Sequence, residues 1–99
     1  MEVSVTRKDI KDAIAALERR TEQSGFSEIC PLAQAIRRLG SFTESTHISV
    51  GTSKVSIYDR VYLNLSGGLP GPLLTPSGWS EALSSAPFTI LVDGLENWL

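Results

Sequence analysis

The sequence predicts an α+β protein, with two N-terminal helices packed on one face of a small, mainly antiparallel sheet and a short third helix before the last strand. Apolar residues recur at helical spacing through residues 10–39, and they alternate with polar residues between 48 and 65. Helical and extended patterns that are segregated along a chain are typical of α+β proteins. At 99 residues the chain has the length of one domain, so we expect a single α+β domain over 1–99.

A short alternation followed by a capping pattern predicts the first strand and the first helix. Glu2–Val5 alternates polar and apolar residues, which is typical of a strand. Thr6, followed three residues later by Asp9, indicates a helix N-cap with an acidic first turn. We expect the helix to run from Arg7 to about Gln23. Its apolar stripe consists of Ile10, Ala13, Ile14 and Leu17.

The second helix is predicted to begin at Cys30-Pro31. Proline suits the first helical position because its missing N–H would have no partner there. Arg37-Arg38 occupy the last turn, and Gly40 is expected to end the helix in a left-handed conformation. The apolar stripe of this helix consists of Leu32, Ala35, Ile36 and Leu39.

The middle of the chain predicts a β-hairpin. Ile48–Val50 and Val55–Ile57 alternate on either side of a Gly-Thr-Ser turn, and the odd-numbered apolar positions continue to Leu65. Two interpretations of 55–65 compete: a tight turn at Asp59-Arg60 between two strands, or one long strand bent by a bulge. We favour the turn, because the single long strand would leave Asp59 half-buried among aliphatic side chains.

The last third of the chain predicts a stiff loop, a short helix and a final strand. Three prolines restrict residues 67–76 and prevent a regular strand there. Thr75-Pro76 opens a short helix, and the apolar run 88–92 is a strand candidate. We expect both Trp79 and Trp98 to lie in the core.

Charge and composition narrow the range of partners and locations. The net charge is −2, and a nucleic-acid-binding protein normally has a basic surplus, so we expect no direct contact with nucleic acid. No apolar run approaches the roughly 18–20 residues that span a bilayer, so we expect no membrane association. The first five residues do not resemble a signal peptide, and a single cysteine cannot form an internal disulfide. We therefore expect a cytoplasmic protein.

The residues available for catalysis are few. One histidine and one cysteine exclude zinc sites built on His pairs and CxxC redox motifs, and the carboxylates lack the spacing of a metal-binding loop. The glycines of 67–71 lack the Lys-Ser/Thr pair of a P-loop. We predict no catalytic residue, no metal site and no cofactor, and we interpret the chain as a non-enzymatic protein.

Cys30 is the candidate reactive thiol. At a helix N-cap its sulfur would lie near unpaired N–H groups and the positive end of the helix, which lowers a thiol pKa. A Cys30–His47 pair would then make a small thiol-dependent enzyme or a redox switch. The opposing interpretation is a small buried residue, since free cysteine is among the most buried residue types, with His47 at the surface. We favour the second interpretation.

The candidate binding surface lies on the hairpin. Its residues occupy even-numbered, otherwise polar positions: Tyr58, Arg60, Tyr62 and Asn64. Tyrosine and arginine are enriched at the energetic centres of protein interfaces. The alternative is ordinary cross-strand packing of half-exposed tyrosines. Of all the features of the chain, this face is the best candidate for binding.

The run from Cys30 to Arg38, Cys-Pro-Leu-Ala-Gln-Ala-Ile-Arg-Arg, resembles a motif in a group of small phage and prophage proteins. Those proteins carry Cys-Pro-Ile/Leu-Ala-x-Ala at the start of a second helix. Residues 48–51 and 87–90 follow in the matching order, whereas 67–76 and the tail from Asp93 depart from the pattern. The resemblance implies a phage setting and no role for any residue.

A phage setting implies a partner in the bacterial host cell, such as a host protein or a CRISPR-type defence complex that this chain would inhibit. The competing hypotheses are the Cys30 thiol enzyme and a protein that sequesters a small nucleotide signal beside the Gly/Pro loop. The apolar C-terminal tail and an open sheet edge would also allow a homodimer.

Overall fold

The computed structural model describes residues 1–19, 29–40, 42, 47–58 and 60–99. The strands are β1 (Glu2–Val5), β2 (Ile48–Val50), β3 (Lys54–Ile57), β4 (Val61–Ser66) and β5 (Phe88–Val92). The helices are α1 (Arg7–Arg19), α2 (Pro31–Leu39), α3 (Gly71–Leu74) and α4 (Trp79–Ser85). Single turns of 3-10 helix cover Pro76–Gly78 and Leu95–Trp98. The predicted end of the first helix, near Gln23, lies outside the described residues.

All five strands belong to one sheet, in the order β1-β5-β4-β3-β2, and every neighbouring pair is antiparallel. The register places apolar residues opposite one another on one face. Val3 lies opposite Ile90 at one side of the sheet, and Val55 lies opposite Leu63 near the other. This face is therefore buried along its whole width.

Helices cover the buried face, which confirms the predicted α+β class. Helix α2 contacts both edge strands, β1 and β2, and α1 packs against α2 and α4. Leu32 and Ile36 of α2 are fully buried against the sheet. The opposite face is open and carries the polar partners of the alternation, among them Ser4, Thr89 and Asn64. No helix within the described ranges is long and apolar enough to cross a membrane.

The predicted cap at the start of α1 is confirmed and has a further partner. The Asp9 amide donates to the Thr6 hydroxyl (3.3 Å), and the Thr6 amide donates to Asp9 Oδ2 (2.9 Å). Arg38 donates from Nε and Nη2 to the two oxygens of Asp9, both at 3.1 Å, and from Nη2 to the Ser4 carbonyl (3.0 Å). The last turn of α2 is thus tied to the first turn of α1.

Asp9 is only 1% exposed, and the charge of its carboxylate is stabilised by its hydrogen-bond donors. Burial by itself would raise the pKa of Asp9, but the hydrogen bonds from Arg38 and Thr6 outweigh burial and hold that pKa below its ordinary value. The ion pair between the helices is therefore part of the folded architecture at neutral pH.

The turn prediction for residues 55–65 is confirmed, since β3 and β4 are separate strands with Ile57 opposite Val61. The Arg60 amide closes the turn by donating to the Ile57 carbonyl (3.2 Å). Tyr58 has a left-handed backbone, with φ of 57°. Asp59, on which the argument for the turn rested, lies outside the described residues.

Two local predictions were wrong. Gly40 is extended rather than left-handed, with φ of −104° and ψ of 173°. The ring of Phe42 packs closely over Gly40, so a Cβ atom at this position would require the ring to shift. The stiff segment 67–76 also contains α3, since the Leu73 amide donates to the Pro70 carbonyl (2.9 Å) and forms a helical turn.

Candidate functional site

A surface cleft of about 500 Å³ lies beside the turn between β3 and β4. Its lining consists of Tyr58, Arg60, Val61 and Trp98, and we call it the turn cleft. Tyr58 is 52% exposed and Trp98 is 43% exposed. Arg60 is exposed and forms no ion pair with any residue that the structure describes. The cleft therefore combines two accessible aromatic rings with a cation.

The hairpin backbone positions Tyr58 and Arg60 on the turn. The Tyr58 amide donates to the His47 carbonyl (2.7 Å), which continues the pairing of β2 and β3 beyond the ends of both strands. The left-handed φ of Tyr58 then turns the chain, and the Arg60 amide closes the turn on Ile57. Tyr58 and Arg60 accordingly lie in the turn and not on the strands, which corrects the prediction of a continuous strand face.

Trp98 reaches the cleft because the chain after β5 runs back along β4. The Asp93 amide donates to the Asn64 carbonyl (2.9 Å), and Gly94 then adopts φ of 84° to start the terminal 3-10 turn. Leu95 is fully buried and anchors this turn, while Trp98 lies at its end over Val61. The fold thus brings the end of the tail, at Trp98, next to the turn between β3 and β4.

The placement of Trp98 overturns the prediction that it belongs to the core. Leu95 is the buried residue of the terminal turn, whereas Trp98 at its end is 43% exposed. Sequence reasoning missed it as a site residue. The sequence offered no local signal for this placement, because the tail lies along β4 through the pairing of β4 with β5, which joins segments distant in sequence.

Tyr62 and Asn64 lie on the open sheet face. Tyr62 is 64% exposed and borders a shallow depression of about 350 Å³ with Ser49, Gly51, Lys54 and Ser56. Asn64 pairs across the strands with Lys54. The four residues predicted for binding are therefore divided between the turn cleft, which holds Tyr58 and Arg60, and the adjoining sheet face, which holds Tyr62 and Asn64.

A second cavity, of about 330 Å³, lies at the opposite end of β2 and β3. We call it the Trp79 cavity. Its lining consists of Cys30, Val50, Gly51, Thr52, Leu69, Leu73, Leu74 and Trp79. Leu69 reaches it because the Gly67-Gly68 turn has a left-handed backbone, with φ of 83° and 72°, and the Leu69 amide then donates to the Thr52 carbonyl (3.2 Å).

Cys30 is buried at the N-cap of α2, as the helix prediction requires. Burial raises the pKa of the Cys30 thiol, and the opposing effect of the Ala33 and Leu32 amides is smaller. The alternative of a lowered thiol pKa at this helix end is therefore not supported, because desolvation of a thiolate outweighs the nearby N–H groups. The favoured interpretation of Cys30 as a small buried residue is confirmed.

His47 is not placed to act as a base for Cys30. Its carbonyl accepts from Tyr58 at the end of β2 that faces the turn cleft, whereas Cys30 lines a cavity with Val50 and Gly51 at the other end. Three residues along a strand span about 10 Å. The geometry gives no support to a Cys–His nucleophile.

The Trp79 cavity also gives little support to a nucleotide site. Its described lining includes no Lys or Arg side chain that would bind a phosphate group. Among the described residues, no group of three or more His, Cys, Asp or Glu side chains is arranged to hold a metal ion.

Comparisons with known proteins found no family model, no curated protein and no solved structure that matches the chain significantly. The interpretation of the two clefts accordingly rests on their own residues.

Proposed function

We propose that this protein is a non-enzymatic interaction module that binds a partner protein through the turn cleft. The observation that carries the proposal is the exposure of Tyr58 and Trp98 beside Arg60 in one concave site. Tryptophan, tyrosine and arginine are the residue types that dominate binding energy at protein interfaces, where they fill desolvated pockets.

The chemistry of the cleft defines the kind of partner. Tyr58, Trp98 and half-buried Val61 offer apolar surface, and Arg60 offers guanidinium donors that no described carboxylate occupies. A guanidinium binds a carboxylate with two parallel hydrogen bonds, and neighbouring aromatic rings exclude water from such a pair. A partner side chain with an apolar stem and a carboxylate, or an acidic residue next to an aromatic one, would complement this site.

The adjoining sheet face extends the proposed contact. Tyr62 and Asn64 project from β4 next to the turn, and Lys54 lies opposite Asn64. These side chains are polar and exposed, as is usual for the rim that surrounds the centre of an interface. We expect them to contribute less to affinity than Arg60 and Trp98.

The proposed partner is a bacterial host protein, and the most specific version of the proposal names a CRISPR-type defence complex. The proposed setting is the cytoplasm of the host cell. This part of the proposal is supported by the resemblance of the Cys30–Arg38 run to phage and prophage proteins. It is tested by expressing the chain in a bacterium whose CRISPR system restricts a phage. Restored plaque formation is the expected result, and undiminished restriction would contradict the defence-inhibitor proposal.

A pull-down from bacterial lysate tests the interaction surface. The baits are the wild-type protein, the double variant Arg60→Glu/Trp98→Ala, and a control, Leu91→Ala, which removes an exposed apolar side chain on the open face of β5. We expect the wild type and the control to retain one stoichiometric protein that the double variant loses. Equal retention by all three baits, with equal melting temperatures, would remove the turn cleft from consideration.

A further inference from the structure

We propose that the Trp79 cavity is a binding site for a small, neutral and mostly apolar molecule whose carbonyl oxygen accepts a hydrogen bond from the Trp79 indole. This site is separate from the turn cleft, and the inference does not depend on the proposed protein partner. The cavity lies among α2, α3, α4 and the turn between β2 and β3, whereas the turn cleft lies at the other end of the hairpin.

The first observation is an unpaired buried donor. Trp79 is only 1% exposed, and its Nε1–H has no hydrogen-bond partner in the part of the chain that the structure describes. A buried indole N–H normally has an acceptor, because leaving it unpaired is unfavourable. Trp79 itself lines the cavity, and its Nε1 is covered, so an acceptor supplied by a bound molecule would remove this cost once the lining side chains shift to admit it.

The second observation is the size and lining of the cavity. Its volume of about 330 Å³ is roughly twice that of a cavity known to hold benzene. Most of the lining is aliphatic or weakly polar, contributed by Val50, Leu69, Leu73, Leu74 and Cys30. With no charged side chain among these residues, the site favours a neutral ligand with one acceptor over an anion or a cation.

One wall of the site is held in place, and the site has an entrance. The Leu69 amide bonded to the Thr52 carbonyl holds the Gly/Pro segment against the hairpin, so one wall is fixed. Gly51, Thr52 and Leu74 are exposed at the opening, while Leu73 and Trp79 are buried at the base. A ketone, ester or lactone can therefore enter from solvent with its hydrocarbon part among the leucines.

The test compares a ketone with a hydrocarbon of similar shape, acetophenone and ethylbenzene, by following the indole N–H signals of the ¹⁵N-labelled full chain by NMR. The Trp98 signal is identified by its loss in Trp98→Phe. We expect acetophenone to move the Trp79 proton signal downfield in a saturable way and to bind at least tenfold more tightly than ethylbenzene. Equal affinities, or an unmoved Trp79 signal, would overturn the proposal.

Two variants locate the binding. Trp79→Phe keeps an aromatic ring and removes the donor, so the preference for the ketone should disappear. Leu74→Trp alters an exposed residue at the entrance and should block the cavity while the fold is retained, which keeps the test decisive if Trp79→Phe fails to fold. An undiminished acetophenone shift in a folded Leu74→Trp variant would show that the ligand binds elsewhere and would refute the proposed site.

Discussion

The helical layer and the turn cleft both contain a tryptophan and an arginine, and they use these residues in opposite ways. In the helical layer Trp79 of α4 is buried, and Arg38 of α2 binds the buried carboxylate of Asp9. At the turn cleft Trp98 is half-exposed, and Arg60 has no carboxylate partner among the described residues. Residue type alone therefore does not separate a structural role from a binding role, whereas burial and partners do.

The largest expected difference between the regions concerns the tryptophans. Trp79→Ala should lower the free energy of unfolding by about 3–5 kcal/mol, because a large buried ring leaves a cavity. Trp98→Ala should change it by about 0.5 kcal/mol or less, as is usual for exposed side chains. Urea denaturation of both variants measures the contrast. Similar losses would show that Trp98 is a core residue and would remove the distinction.

The next largest difference in unfolding free energy should separate the partner of Arg38, which is Asp9, from Arg60 itself. Asp9→Ala removes hydrogen bonds from Thr6 and Arg38 and should cost about 2–3 kcal/mol of unfolding free energy. Arg60→Ala should be within about 0.5 kcal/mol of the wild type. Chemical denaturation provides both values, and Arg38→Lys is the control that keeps the charge without the two-pronged geometry. An Asp9→Ala variant as stable as the wild type would contradict the structural role of the pair.

The Asp9 pair also predicts a pH dependence of stability. Because the pKa of Asp9 is lower in the folded protein, the unfolded chain takes up a proton first as the pH falls. The contribution of Asp9 is therefore complete above about pH 4–5, near and above the ordinary pKa of about 3.9, and is lost at lower pH. Between pH 6 and 2.5 the free energy of unfolding, measured by denaturation, should decrease less steeply for Asp9→Asn than for the wild type. Identical slopes would show that another carboxylate carries the effect.

The smallest expected effect on stability is at Cys30, which is buried at the N-cap of α2. Burial and a raised thiol pKa predict that Cys30 reacts with a disulfide reagent about tenfold or more slowly in the native protein than in urea. Cys30→Ser should keep the melting temperature near that of the wild type, since serine is a favourable N-cap residue. A native thiol that reacts as fast as the unfolded one would restore the thiol-enzyme hypothesis.

Local signals predicted most of the secondary structure. The Thr6–Asp9 cap, Pro31 at the start of α2 and the apolar run of β5 each act through neighbouring residues, so their positions could be predicted from the chain alone. The ion pair between Asp9 and Arg38 could not, because it joins residues that are distant in sequence and meet only when the helices pack.

The candidate site was predictable only in part, for a similar reason. Tyr58 and Arg60 are close in sequence, and their residue types indicated a binding role before the turn was seen. Trp98 joins them through the path of the tail along β4, which brings together segments that are distant in sequence. Whether the Nε1–H of Trp79 finds an acceptor likewise depends on all the side chains that surround it, so the sequence alone could not predict that it is unpaired.

The central claim, that the turn cleft binds a protein, is tested most directly by titrating the purified partner from the pull-down against the wild type, Arg60→Glu/Trp98→Ala and Leu91→Ala. We predict that the double variant weakens the dissociation constant by about 30-fold or more, as expected for the loss of interface hot spots. The Leu91→Ala control should bind as the wild type does. An unchanged dissociation constant for a folded double variant would contradict the account.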